Sequence, residues 1–452
     1  MRVHFIAIGG SAMHNLALAL HEKGYKISGS DDEIFEPSRT RLESKSLLPA
    51  EFGWFPEKIT PEIDEIILGM HARKDNPELL KAQELGIKIY SFPEYIYKYS
   101  EDKQRVVVAG SHGKTTVTSM IMHVLRFHDK DFDYMVGSLV EGFETMAKLT
   151  NAPMIVIEGD EYLTSPIDHR PKFWHYKHHI GVVTGIAWDH INVFPTFAKY
   201  LEQFEIFADL TPKSGCLIYC KDDKKLKDIC SIDRYDVKTE NYTVPSHKIK
   251  GGKTTLNTDF GPIELQVFGE HNLKNLEAAR LTCMHLGVTE KGFYEAISSF
   301  KGASNRLELL AKSDKTIVFK DFAHAPSKLV ATTMAVKKNF PDFKLVACLE
   351  LHTFSSLSKD FLKEYKDKFK FADEPVVFFS PETVEHKKLP SITKTDIETN
   401  FATKNLKVFT DREELHKYLL AQNWTKKTLL MMSSGKFGGI NLQELANKIV
   451  NS

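Results

Sequence analysis

The sequence predicts an α/β protein in three parts, each built on a largely parallel sheet, with Rossmann-like sheets at both ends. Three observations carry this. Short apolar runs alternate with amphipathic segments through the first hundred residues and again after residue 303, a rhythm that lays helices over a parallel sheet. Between them, "RVVVAGSHGKTTVTSM" (105–120) joins an apolar run to a helical pattern through glycines, the context of a phosphate-binding loop. The length, 452 residues, suits about three domains of ordinary size.

In chain order, "VHFIAIGG" reads as a strand ending in a glycine turn, "AMHNLALALHEKG" as a helix and "YKISGSD" as a second strand. This reading fits the start of the chain better than a secretory leader, because His4, Gly9-Gly10 and His14-Asn15 interrupt any apolar stretch. Gly9, Gly10 and Ser11 open the helix, where backbone N–H groups suit an anion. Asp31 follows the second strand at the place of a ribose-reading acid. The full G-x-G-x-x-G fingerprint is absent, so a nucleotide other than a nicotinamide cofactor and a purely structural turn both remain open. "EIIL", "NPELLKAQELG" and "IKIYSF" continue the alternation, and the charged "YSEDKQ" (99–104) reads as a linker closing a first domain, 1–101.

The second domain, 102–302, holds the glycine loop, two strands with polar ends, and a lysine-rich stretch (221–253) that reads as surface hairpins. The third, 303–452, alternates again through "KTIVFKDFAH", "KLVATTMAVKKNF", "FKLVACLEL", "EPVVFFSP", "REELHKYLLAQ" and "KTLLMMSSGKFGGI".

Composition excludes several classes. Lys+Arg and Asp+Glu are both 60, so no basic excess points to nucleic acid or an acidic membrane surface. No apolar run approaches a membrane span. The five cysteines, Cys216, Cys220, Cys230, Cys283 and Cys348, match no zinc spacing and read as scattered free thiols of a reducing compartment, so a cytoplasmic location is expected.

The chemistry-bearing residues cluster at strand ends. Gly110 and Gly113 let backbone N–H groups curl around a phosphate, with Ser111 and His112 between them. Lys114 can reach the outer phosphates, and the Thr115 hydroxyl, followed by Thr116, suits Mg²⁺. A glycine five residues before the Gly-Lys pair is missing, Val108 standing there, so this is a compact loop. "MIVIEGDEY" ends in Glu158, Asp160 and Glu161, hard oxygen donors for Mg²⁺. "HIGVVTGIAWDHINVF" ends in Asp189-His190.

Taken together, "GSHGKTT", the strand-end Glu, the Asp-His pair, "FGEHNLKNLEAA" and "NRLE…DFAHAP" resemble, in the same order, the motifs of the Mur ligases. The resemblance implies an ATP-dependent amide-forming ligase acting on UDP-N-acetylmuramate derivatives, with N-terminal UDP-sugar, central P-loop ATPase-type and C-terminal amine-substrate domains. It implies that Lys114 holds the β- and γ-phosphates, that Thr115 and Glu158 hold one Mg²⁺ and that His190 binds or orients a second metal. His271, Asn272 and Asn275 would lie around the adenine. Arg306, Asp321 and His324 would close over the ATP phosphates and ribose, and Gly9, Gly10, Ser11 and Asp31 would serve the UDP moiety.

The segment "EYLTSPIDHRPKFWHY", with Arg170 and Lys172, resembles the peptide-ligase branch of the family. That branch joins L-Ala-γ-D-Glu-meso-diaminopimelate to UDP-N-acetylmuramate, and an acidic tripeptide suits added cations. Ligation of L-alanine is the alternative among the enzymes, and a non-catalytic nucleotide-binding relative is the alternative of another class. Gly185, where relatives carry Asn, and Ala325, where they carry a second His, depart from the family pattern. No lysine is expected to be the modified, metal-bridging kind.

Overall fold

The computed structural model describes residues 1–188, 193–303 and 305–451. The described chain divides into two compact units. One comprises Met1–Ile186, Phe197–Thr243 and Ala278–Phe293; the other comprises Ala187–Thr196, Val244–Glu277 and Tyr294–Ser452.

The first unit contains two sheets. Strands Lys26–Ser30, Arg2–Ile6, Glu65–Leu68 and Lys88–Ser91 lie side by side, all parallel. The second sheet runs Lys238–Tyr242, Cys216–Cys220, Ile180–Val183, Gln104–Ala109, Met154–Glu158, Asp133–Met135 and Ala147–Lys148, and only the last pairing is antiparallel. Val106, Val107 and Val108 are fully buried, as a central strand covered on both faces requires. The helix Lys114–Phe127 packs Val117, Met120, Ile121, Val124 and Leu125 completely out of solvent, the face its 3.6-residue period marks.

The second unit carries a six-stranded sheet in the order Glu308–Lys312, Thr316–Asp321, Lys427–Met432, Lys344–Glu350, Glu374–Phe378 and Lys407–Phe409. Its first pairing is antiparallel with a register shift between Leu309 and Ala311, and the rest are parallel. An antiparallel meander, His247–Lys250, Lys253–Thr258 and Gly261–Leu265, belongs to the same unit. The α/β class and parallel sheets expected from the alternation are present.

Two local expectations change. The charged stretch 99–104 is no loose linker. The helix Phe92–Tyr99 and the strand Gln104–Ala109 are joined by a tight turn. In that turn Lys103 is buried, 3.2 Å from Asp133, and donates to the carbonyls of Thr150 (2.9 Å) and Ala152 (2.6 Å). A charge is buried only where its partners are supplied, and those partners come from residues far along the chain. Likewise 221–253 holds a hairpin only at its end. Before it come a helix, Lys224–Cys230, capped by Asp223, and the edge strand Lys238–Tyr242. Lysines on exposed positions of an edge strand discourage pairing with another chain and mimic a loop in composition.

Candidate active site

The central strand of the seven-stranded sheet, Gln104–Ala109, sets Val108 opposite Glu158 on one side and Ala109 opposite Val183 on the other. Three chain segments therefore leave the sheet together at its carboxyl edge, where open α/β sheets bind ligands: 110–113, 159–161 and 184–186.

The glycine loop is fixed by its backbone. Gly110 has φ +125°, and a Cβ there would sit 2.2 Å from Thr184 Oγ1. Gly113 has φ +84° and caps the helix that starts at Lys114. Side chains rarely adopt such angles, so both positions call for glycine. Ser111 N–H donates to Gly185 C=O at 2.9 Å, and the Thr184 hydroxyl donates to the carbonyls of Ala109 (3.1 Å) and His112. A Cβ on Gly185 would meet nothing closer than Asp223 Oδ2 at 3.8 Å, so glycine there is not demanded by crowding. Asp223 Oδ2 accepts from Ile186 N–H at 2.7 Å and holds this strand end in place.

Lys114 Nζ donates to Gly110 C=O (2.5 Å) and to Glu161 Oε2 (2.7 Å). Burial alone would lower its pKa, but the carboxylates of Glu161, Asp160 and Glu158 outweigh that and move it upward. The ammonium is thus held in its charged form. Glu161 is almost wholly buried. Its second oxygen accepts from the Tyr200 hydroxyl at 2.9 Å, and that hydroxyl lies 2.9 Å from Ser111 Oγ. Tyr200 gives no signal of this role in sequence: it stands in the helix Phe197–Asp209 as one aromatic among several on an apolar face. In sequence Glu161 is only one of three acids, whereas its placement makes it the partner of Lys114.

The Thr115 hydroxyl donates to Glu158 Oε1 at 2.9 Å, and Glu158 Oε2 accepts from Gly137 N–H at 3.0 Å. Two hard oxygen donors side by side, next to the phosphate loop, fit Mg²⁺. Thr116 is buried in the same turn. His190, expected as a further metal residue, lies outside the described residues.

In the four-stranded sheet, Gly9 N–H donates to Asp31 Oδ2 at 2.7 Å. A Cβ on Gly9 would meet Ile34 Cγ1 at 2.8 Å and Asp31 Oδ2 at 2.9 Å. Gly10 caps the helix Ser11–Glu22 without a side-chain bond, and Ser11 is exposed. Burial raises the Asp31 carboxyl to about 6, against the pull of the Gly9 N–H. The structure thus brings Gly9, Gly10, Ser11 and Asp31 together, with one Asp31 oxygen engaged in holding the loop.

Arg170 and Lys172 are each held by an acid. Arg170 Nε and Nη2 clasp Asp168, the shortest contact being 2.7 Å, and Lys172 Nζ lies 2.6 Å from Asp160.

In the second unit, Asp321 ends the strand Thr316–Asp321 and accepts from the N–H groups of Leu307 and Ala323, each at 2.6 Å. Arg306 stacks on Phe322, with 4.5 Å between guanidinium and ring. His324 Nδ1 lies 2.8 Å from Phe322 C=O. Asn272 and Asn275 are buried, and Asn272 Nδ2 donates to Phe268 C=O at 2.9 Å. His271 Nδ1 is buried with no hydrogen-bond partner among the described residues, and burial lowers its pKa, which keeps the ring neutral. A neutral imidazole with an unused nitrogen suits a polar heterocycle. Glu350, at the end of the strand Lys344–Glu350, accepts from Phe437 N–H at 2.8 Å and from the Ser433 hydroxyl, tying down the "SSGKF" loop.

Residues 2–104 match the family model described as Mur ligase family, catalytic domain, and residues 108–283 match the Mur ligase middle domain. The chain is 31% identical over 388 residues to a UDP-N-acetylmuramate–L-alanine ligase of Clostridium kluyveri, covering 83% of this chain and 82% of that one. It is 26% identical over 471 residues to a UDP-N-acetylmuramate–L-alanyl-gamma-D-glutamyl-meso-2,6-diaminoheptandioate ligase of Haemophilus influenzae, covering 99% of each. Among solved structures, a murein peptide ligase from Psychrobacter arcticus aligns with a TM-score of 0.66 at 22% identity, over 100% of this chain and 99% of that one. A UDP-N-acetylmuramate-alanine ligase from Thermotoga maritima aligns with 0.70 at 20%, over 100% and 98%. A MurF ligase from Thermotoga maritima in complex with ADP aligns with 0.62 at 15%, over 89% and 97%. With its glycine loop, acidic strand end and parallel α/β sheets, the chain belongs to the Mur ligase family, the ATP-dependent ligases that form amide bonds.

Proposed function

We propose that this enzyme joins the tripeptide L-Ala-γ-D-Glu-meso-diaminopimelate to UDP-N-acetylmuramate, using ATP, in the cytoplasmic recycling of peptidoglycan. The observation that carries the ligase chemistry is the partly buried Lys114 ammonium, presented by the glycine loop and held by Glu161 2.7 Å away. A carboxylate is a poor electrophile until its oxygen takes the γ-phosphoryl group; the amine then attacks the acyl phosphate and phosphate leaves. The first step gathers negative charge at one place. A fixed cation in a water-poor site offsets that charge without reorganising. Thr115 and Glu158 would hold Mg²⁺, which when bound neutralises phosphate oxygens.

On this reading residues 1–101 bind the UDP-sugar, 102–302 bind ATP and 303–452 receive the amine. Gly9, Gly10, Ser11 and Asp31 serve the uridine nucleotide. His271, Asn272 and Asn275 surround the adenine, and Arg306, Asp321 and His324 attend the phosphates and ribose. The tripeptide reading is supported by the basic segment around Arg170 and Lys172 and by full-length likeness to the Haemophilus influenzae ligase.

A second reading, ligation of L-alanine, is favoured by a specific observation: both of those cations already have acidic partners, Asp168 and Asp160. The Clostridium kluyveri relative supports it. Phosphate release measured with UDP-N-acetylmuramate and each amine separately decides. Turnover with the tripeptide and not with L-alanine is expected. Turnover with L-alanine alone overturns the tripeptide assignment, and ATP binding without turnover on either amine overturns ligation itself.

A further inference from the structure

The cysteines match no zinc spacing in sequence, and all five are free and buried. The fold nevertheless builds a mixed ligand set around one of them, away from the phosphate loop. In the parallel pair at the edge of the seven-stranded sheet, Cys216 lies opposite Lys238 and Ile218 opposite Glu240. Cys216 and Ile218 share a face, as do Lys238 and Glu240, because side chains two apart point the same way. Glu240 therefore reaches diagonally toward Cys216. His285, the last residue of the helix Glu270–His285, closes the triangle. Its Nε2 lies 3.4 Å from Cys216 Sγ and 3.3 Å from Glu240 Oε1, and the three ligand atoms all fall within 4.8 Å of one another.

The two separations made by His285 match a metal's demands. With Zn–S about 2.3 Å, Zn–N about 2.0–2.1 Å, Zn–O about 2.0–2.2 Å and tetrahedral angles, sulfur and nitrogen stand about 3.5 Å apart and nitrogen and oxygen about 3.4 Å. Cys216 is buried, whereas the side chains of His285 and Glu240 are 23% and 22% exposed, so an ion has a way in. The remaining polar contact is Lys238, paired with the same Glu240 oxygen. Its side chain is 62% exposed, so it swings into water at little cost.

We propose that Cys216, Glu240 and His285 form a zinc site, holding one ion through thiolate sulfur, carboxylate oxygen and imidazole nitrogen with the fourth position open to water. Binding releases the thiol proton to solvent and frees Lys238 from Glu240. The ion ties the outermost two strands of the sheet to the helix end. Its donors are softer than the oxygens of Thr115 and Glu158, so the site selects zinc over magnesium.

Titrating the chelator-treated full chain with cobalt(II) tests this. One equivalent is expected to produce a thiolate-to-cobalt charge-transfer band, which zinc chloride then bleaches. Cobalt at an all-oxygen site gives no such band, so the nucleotide centre does not interfere. Cys216→Ser is expected to abolish the band, and His285→Gln to weaken cobalt binding by more than the roughly 10–100-fold loss that follows removal of an outer-shell partner. Absence of the band in the unaltered chain, its survival in Cys216→Ser, or unchanged affinity in His285→Gln would overturn the proposal. Should Cys216→Ser fail to fold, the histidine variant alone decides between the two outcomes.

Discussion

Lys114 Nζ and Glu161 Oε2 meet at 2.7 Å, and that contact ties the phosphate loop to the segment following the strand Met154–Glu158. Glu161 is in turn fixed by Tyr200, which also reaches Ser111. Loop, acid and helix thus form one polar cluster behind the lysine, and substitution can take that cluster apart one bond at a time.

Lys114→Ala should lower kcat by at least about 10²-fold, the scale of losing one preorganised electrostatic group. It also strands a buried carboxylate, which costs about 3–5 kcal/mol. The double variant Lys114→Ala/Glu161→Gln should therefore recover much of the lost thermal stability and none of the activity. Calorimetry beside a phosphate-release assay checks both halves; recovered turnover in the double variant removes Lys114 from the chemistry.

Tyr200→Phe leaves the ring in place and deletes the hydroxyl between Ser111 and Glu161. A stability loss of about 1 kcal/mol is expected for a buried hydrogen bond, read from urea unfolding. Lys114 keeps its own partner, so kcat should fall less than in the Lys114→Ala variant.

Gly110→Ala forces a Cβ to 2.2 Å from Thr184 Oγ1 at a φ of +125°. ATP binding, followed by fluorescence of a labelled nucleotide, should be lost or greatly weakened. Adding Thr184→Ala removes the hydroxyl contact but leaves the Thr184 backbone N at 2.9 Å from that Cβ and the backbone strain, worth about 1–3 kcal/mol, so rescue should be partial. Full rescue would show that the Thr184 hydroxyl alone demands the glycine.

Glu158→Gln keeps an oxygen for Gly137 N–H but removes the charge beside Thr115. Turnover should then need a higher Mg²⁺ concentration, with saturation still attainable. A magnesium dependence identical to that of the unaltered enzyme would exclude Glu158 from the metal site.

Burial raises the Asp31 carboxyl to about 6 from an ordinary carboxylate value, offset in part by the Gly9 N–H. A carboxyl raised on folding favours the native state while protonated, and that contribution is lost as pH climbs from the unfolded value through about 6. Asp31→Asn retains an acceptor for Gly9 and has no proton to lose. Between pH 4 and pH 6.5 the melting temperature of the unaltered protein should fall relative to this variant; parallel curves would contradict the assignment.

Some of this site was legible in the sequence because its signals are local. Apolar periodicity marked the strand Gln104–Ala109 and the helix Lys114–Phe127, and Gly110 and Gly113 marked backbone that only glycine adopts easily. The pattern of motifs gave the family and the order of the parts.

What the sequence by itself determined was therefore element type, the glycine loop and the acids waiting at strand ends, since each follows from neighbours a few residues away. Tertiary structure alone decided which acid does what. The turn after Met154–Glu158 brought Glu161 rather than Glu158 to Lys114, and packing set Tyr200 behind it, buried Lys103 against Asp133 and gathered Cys216, Glu240 and His285 at one edge. Those pairings span tens of residues, and each is fixed by how sheets and helices pack, a property of the whole core that no short window of residues encodes.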